Sequence, residues 1–178
     1  MIKKEYLYAI GGISVVLWLF KPKSGTGVLS PVRAYPGPDG VPSIRNNNPF
    51  NLIKSGNAWQ GKVTGQYPIT DGFEKFVDYY HGLRAGLKNA KTQYNRGYNS
   101  IDKLIRRLTP PLSAGGDNPN VAVDDFVHCV AETMGHPIHT RFAWTKPNVE
   151  ALTRAITKTE AGKDNFSQTE FEKVWQSV

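Results

Sequence analysis

The residues of this chain best suited to chemistry are Glu160, which closes an apolar-striped segment just before Gly162, and a run of amides at Asn46, Asn47, Asn48 and Asn51. Glycosidic cleavage needs a carboxylic acid whose pKa is raised enough to protonate the leaving oxygen, and burial beside apolar groups raises it. A glutamate in the last turn of a helix also meets the negative end of the helix dipole, which disfavours its charged form. Glu160 is therefore the first candidate acid; the competing expectation is a solvated helix-end residue paired with Lys158 or Lys163. Carboxamides offer donors and acceptors together to N-acetyl and hydroxyl groups, so the asparagine run suits a sugar cleft, although asparagines also build turns.

Around these residues lie further candidates. Glu74, flanked by Phe73 and Phe76, is the runner-up acid, since strand alternation can turn it inward or to solvent. Trp59 and Tyr67 offer faces on which a pyranose could stack, or fill a small core. Arg45 is placed either to hold a carboxylate bidentately or to close a surface ion pair. Asp39 falls among prolines and glycines and reads as a turn residue. No second carboxylate stands at a helical spacing from Glu160. Cys129 is the only cysteine, which rules out an intrachain disulfide, and its apolar surroundings suit a structural thiol. His136 and His139 are separated by Pro137 and lack a suitably spaced carboxylate, so neither a metal nor another cofactor is expected.

The elements that must position these groups follow from pattern. Leu52-Ile53 and Lys62-Val63 flank Ser55-Gly56-Asn57 and Trp59-Gln60-Gly61, which predicts a small β-hairpin, and Asp71-Gly72 predicts a turn. Asp78 can cap a helix running to about Arg96 before Gly97, with Leu83, Leu87, Ala90 and Tyr94 on one face. Asn99 or Ser100 starts a shorter helix that Pro110-Pro111 stops, and 112–118 reads as a loop. Val123, Phe126, Val127, Val130 and Met134 mark a helix from near Asn118 or Asn120 to Gly135. Pro147 opens the helix that carries Glu160 and ends at Gly162. Ser167-x-x-Glu170 is a capping box that starts a last helix with Phe171, Val174 and Trp175 inward.

At 178 residues the chain has room for one domain with a core and an appendage. The run from Tyr6 to Phe20 is uncharged and bracketed by lysines, and no small-x-small cleavage site follows it, so it reads as an uncleaved transmembrane anchor over residues 1–20. As a helix it would be about 22 Å long, short of the bilayer core, with flanking lysines closing the gap. Residues 21–42 are rich in Pro and Gly and read as a spacer, leaving a folded domain over 43–178. Extended, the spacer could reach about 60 Å. The formal charge of +7 favours anionic partners, but dispersed basic residues and the lack of a recognised motif argue against nucleic acid.

Arg45-Asn46-Asn47-Asn48-Pro49-Phe50-Asn51-Leu52-Ile53, Trp59-Gln60-Gly61, Gly72-Phe73-Glu74-Lys75-Phe76 and Gly82-Leu83-Arg84-Ala85 resemble a bacteriophage family of virion-associated muralytic proteins, the structural protein P5 type. Tyr94, Asn99-Ser100-Ile101, Arg107 to Pro111, Asp117 to Phe126 and Ile156 to Gly162 follow in the family's order, so the resemblance spans Ser43 to the C-terminus. It implies a mainly α, lysozyme-like domain similar to lytic transglycosylases and goose-type lysozyme, with Glu160-x-Gly162 matching the family's glutamate-x-glycine motif. Because the glutamate follows the asparagine motif instead of preceding it, a circularly permuted arrangement is implied. The expected function is a membrane-anchored peptidoglycan-degrading enzyme, of lytic transglycosylase or lysozyme type, that opens the host wall on the way into or out of the cell. Some proteins of this resemblance are endopeptidases. The alternative is a catalytically inactive structural membrane protein of the virion. The implied partners are peptidoglycan, a lipid membrane contacted through residues 6–20 and other virion proteins, and the implied location is the viral membrane or the host inner membrane, as a single-pass protein.

Overall fold

The computed structural model describes residues 6–10, 13–17, 41–64, 72–110, 113, 115, 120–162 and 165–178. Within them the protein is mainly helical, with six α-helices. The N-terminal expectation fails. Tyr6–Ile10 (β1) and Ile13–Leu17 (β2) pair antiparallel, with Tyr6 opposite Leu17 and Ile10 opposite Ile13. The β-branched Ile10, Ile13, Val15 and Val16 favour extended backbone, and a Gly-Gly dipeptide between two apolar runs is a hairpin signal. Among the described residues no helix is long and apolar enough to cross a membrane, which overturns the single-pass assignment to a viral or host membrane. The spacer up to residue 40, with Asp39 in it, lies outside the described residues, as do Tyr67, Asp71 and most of the 112–118 loop.

Val41 is buried, and Pro42–Arg45 forms a short helix, α1, with the proline in its first turn, where a missing N–H is harmless. The segment that follows was expected to fold as a hairpin. Instead, both arms turn to a third segment: Ile53 bridges Phe73 and Lys62 bridges Phe76. The Glu74 N–H donates to the Leu52 carbonyl on one side and the Val63 N–H to the Lys75 carbonyl on the other. Residues 72–77 therefore run between the two arms.

The helices begin and end as their capping residues dictate. Asp78 accepts from the His81 N–H to open α2, Tyr79–Asn95. Ser100 caps α3, Ile101–Leu108, which stops short of Pro110. Asn120–Met134 is α4, followed by Gly135 at φ +59°. Pro147 lies in the first turn of α5, Lys146–Ala161, and Gly162 ends it in the left-handed conformation that glycine adopts without strain. The capping box forms at Ser167 and Glu170 and starts α6, Gln168–Gln176.

Three apolar clusters fill the interior. Leu104, Ile105, Val127, Val130, Leu152 and Ile156 join α3, α4 and α5 around Tyr94 and Phe142. A second cluster joins Leu83 and Leu87 of α2 to Val149, Phe166, Phe171 and Val174. The third is small, with Leu52 and Phe76 against Ala85. Phe50, directly before Asn51, packs against all three. It thus fixes the asparagine turn to the helical core.

Candidate functional site

The asparagine turn is held from two sides. Asn48 is fully buried, its Nδ2 donating to the Leu52 and Glu74 carbonyls and its Oδ1 accepting from the Leu52 N–H. The Asn47 Nδ2 donates to the Phe76 carbonyl. Asn46 is buried, and its carbonyl accepts from the Phe76 N–H. On the other side the turn lies on α2, where two glycines a helical turn apart leave room for it. A Cβ on Gly82 would stand 1.7 Å from the Asn47 carbonyl oxygen, and one on Gly86 would stand 2.3 Å from the Phe50 ring. The sequence expected Asn46, Asn47 and Asn48 to contact substrate. The structure commits the Asn47 and Asn48 side chains to loop backbone, and both Nδ2 protons of Asn48 are used.

Asn51 behaves differently. Its φ of +45°, like the +50° of Asn47, is a left-handed conformation that asparagine tolerates better than most side chains, but its amide leaves the loop. Its Nδ2 donates to Glu160 Oε2 at 2.5 Å, joining residues 109 apart in sequence. Asn51 Oδ1 is buried and has no hydrogen-bond partner among the described residues. Beside this contact the Ser43 hydroxyl donates to the Glu160 carbonyl at 3.2 Å, taking up one of the acceptors left open at a helix C-terminus. Thus α1 and the asparagine turn both close on the end of α5.

Glu160 is half-buried, and no described basic side chain forms an ion pair with it, in contrast to the expected pairing with Lys158; Lys163 lies outside the described residues. Burial of the carboxyl pushes its pKa up to about 7, against a smaller downward pull from the Asn51 hydrogen bond. Near neutral pH it is therefore divided between acid and carboxylate, as a group that first gives and then takes a proton must be. The position at the end of α5 adds the dipole effect in the same upward direction.

Glu74, the runner-up acid, is a strut. It is buried, and its Oε1 accepts from the Ser55 N–H, the Ser55 hydroxyl and the Lys62 ammonium at 2.8, 3.0 and 2.9 Å. The same ammonium donates to the Ser55 carbonyl at 2.6 Å, so charge and donors around Glu74 are spent on holding the 55–62 loop. Arg45 is the last residue of α1 and half-buried. Trp59 takes the core-filling role of its two expected ones, with part of it left at the surface. It packs on the Leu52, Phe76 and Ala85 cluster, and it lines a shallow pocket of about 340 Å³ with Asn57, Ala58, Gln60, Arg84 and Lys88.

The pocket was not foreseen, although Arg84 and Lys88 stand one helical turn apart in the sequence. Nor was the Lys62–Glu74 pair, which joins positions with no pattern between them. Cys129 is half-buried with its Sγ 3.5 Å from Thr159 Oγ1. The His136 Nδ1 meets the Pro137 carbonyl, and no group of three or more possible metal ligands occurs among the described residues. No protein-family model matches the chain, and no curated protein matches it.

Proposed function

We propose that the helical domain is a lysozyme-like, circularly permuted peptidoglycan-degrading enzyme of the virion that cuts wall glycan with Glu160 as its acid. The observation that carries this reading is the contact of Asn51 with Glu160 across 109 residues, which joins the amide turn to a carboxyl whose pKa lies at about 7. Protonated Glu160 would give its proton to the glycosidic oxygen, and the Asn51 N–H would then stabilise the carboxylate left behind. Glu74 is engaged by Lys62, and Glu150, ten residues before Glu160 on α5, by Arg154 and Gln168. A single acid favours the lytic transglycosylase route, in which the sugar's own hydroxyl attacks and Glu160 takes that proton.

A non-enzymatic role as a structural virion protein has one observation in its favour, since the pocket beside Trp59 does not include Glu160. Mass analysis of muropeptides released from purified peptidoglycan tests both. Anhydro-sugar ends from the wild type, with a loss of about 100-fold or more in Glu160→Gln, support the transglycosylase reading. Reducing ends would assign lysozyme hydrolysis, and cut stems on intact strands would assign endopeptidase action and remove Glu160 from the chemistry. An inert wild type would leave the structural role.

A further inference from the structure

The pocket lined by Asn57, Ala58, Trp59, Gln60, Arg84 and Lys88 has the composition of an anion site beside a flat apolar face. Arg84 and Lys88 rise from α2 four residues apart, so both side chains leave the helix on one side. Neither side chain forms an ion pair or hydrogen bond within the described residues, and no acid lines the pocket. Arg106, by contrast, is paired with Asp102 and Asp124, Lys146 with Glu172 and Lys62 with Glu74. Two adjacent uncompensated cations repel each other, and an anionic group between them removes that cost. The Trp59 ring forms the pocket's apolar wall, and its Nε1 has no hydrogen-bond partner among the described residues.

The loop that supplies Asn57 to Gln60 is held in place before any ligand arrives. The Lys62 ammonium ties the Ser55 and Asn57 carbonyls to Glu74, and Gly61 at φ +72° brings the backbone against the His81 ring, where a Cβ would stand 2.3 Å away. A preformed site binds without the cost of ordering its own walls. Arginine presents a planar fork that matches a carboxylate bidentately, while the Asn57 and Gln60 amides can reach neutral groups around it.

We infer that this pocket is a binding site for a carboxylate borne on a sugar or short peptide of the wall polymer, held by Arg84 and Lys88 with its apolar side on Trp59. This deepens the function proposed above, giving the enzyme a second point of hold on the acidic stem peptides that branch from the glycan. The test separates the two. Full-length Glu160→Gln protein is titrated calorimetrically with a disaccharide-tetrapeptide muropeptide, with the same muropeptide after amidation of its carboxyl groups, and with inorganic phosphate. Binding of the free-acid probe is expected to weaken about tenfold or more on amidation and again in the Arg84→Gln/Lys88→Gln variant, because each change removes a charge-assisted contact. Arg84→Lys keeps the charge but loses the fork, and is expected to fall between. Equal affinity for the acid and amidated probes, or for the wild-type and doubly substituted pocket, overturns the site. Phosphate binding as tight as that of the muropeptide, and equally dependent on Arg84, overturns the carboxylate assignment. Specific binding by a wild type that releases no muropeptides keeps the site and removes the catalytic reading.

Discussion

Glu160 gives this protein a pH dependence opposite to that of most salt-bridged carboxylates. Folded, it holds its proton to about pH 7, against an ordinary value of 4.5, so between those values the folded state binds the extra proton. Stability contributed through this group is thus greatest at low pH and falls as pH rises through about 7, by up to about 3 kcal/mol. Urea denaturation of Glu160→Gln should find it more stable than the wild type at about pH 8, with the difference vanishing toward about pH 4. Asn51 sets the same proton from outside. Replacing it with glycine keeps the left-handed backbone available while removing the hydrogen bond that pulls the pKa down, so the NMR titration of the Glu160 carboxyl should move above its wild-type midpoint. The position of the acid was legible in the sequence because an apolar stripe ending at Gly162 puts it in a helix's last turn. Which of the four asparagines would face it was not, because that depends on the backbone carbonyls of Leu52, Glu74 and Phe76, remote partners that consume the Asn47 and Asn48 side chains and leave Asn51 to the end of α5.

The helices followed their capping residues closely: Asp78, Ser100, Pro147 and the Ser167–Glu170 box lie where their elements begin. Local hydrogen bonds decide such boundaries, and a sequence carries local information well. The apolar run at Tyr6 and the 52–63 segment were misread for the converse reason. Each was assigned by its own composition, whereas extended segments are settled by the strand that pairs with them, here β2 for β1 and residues 72–77 for both arms of the loop. The role of the α2 glycines depends equally on a partner, and it yields a graded expectation. A methyl on Gly86 meets the base of the Phe50 side chain, Cδ2, Cγ and Cβ, which three clusters hold in place, whereas one on Gly82 meets the backbone carbonyl of Asn47 at still closer range. Thermal unfolding should find Gly86→Ala destabilised by about 2–3 kcal/mol and Gly82→Ala by about 3 kcal/mol or more, despite the better helix propensity of alanine.

Across the whole molecule, Phe50 is the point at which the three apolar clusters meet. Phe50→Ala should cost about 3 kcal/mol in chemical denaturation, and because the same side chain fixes the turn that carries Asn51, the Glu160 titration should change with it. A core substitution of similar cost on α3, Ile105→Ala, which leaves the Phe50 side chain and the turn in place, should leave that titration where it was. The formal charge of +7 matters at this scale too, since its basic residues are dispersed along the sequence. Asn51 and Glu160 belong to opposite sides of the 111–119 connection. Two polypeptides divided there would each lack the other's half of the pair. The neutral-range proton signal would return only on reassociation, at a rate set by the product of their concentrations, and the domain would act as a split sensor of its own assembly.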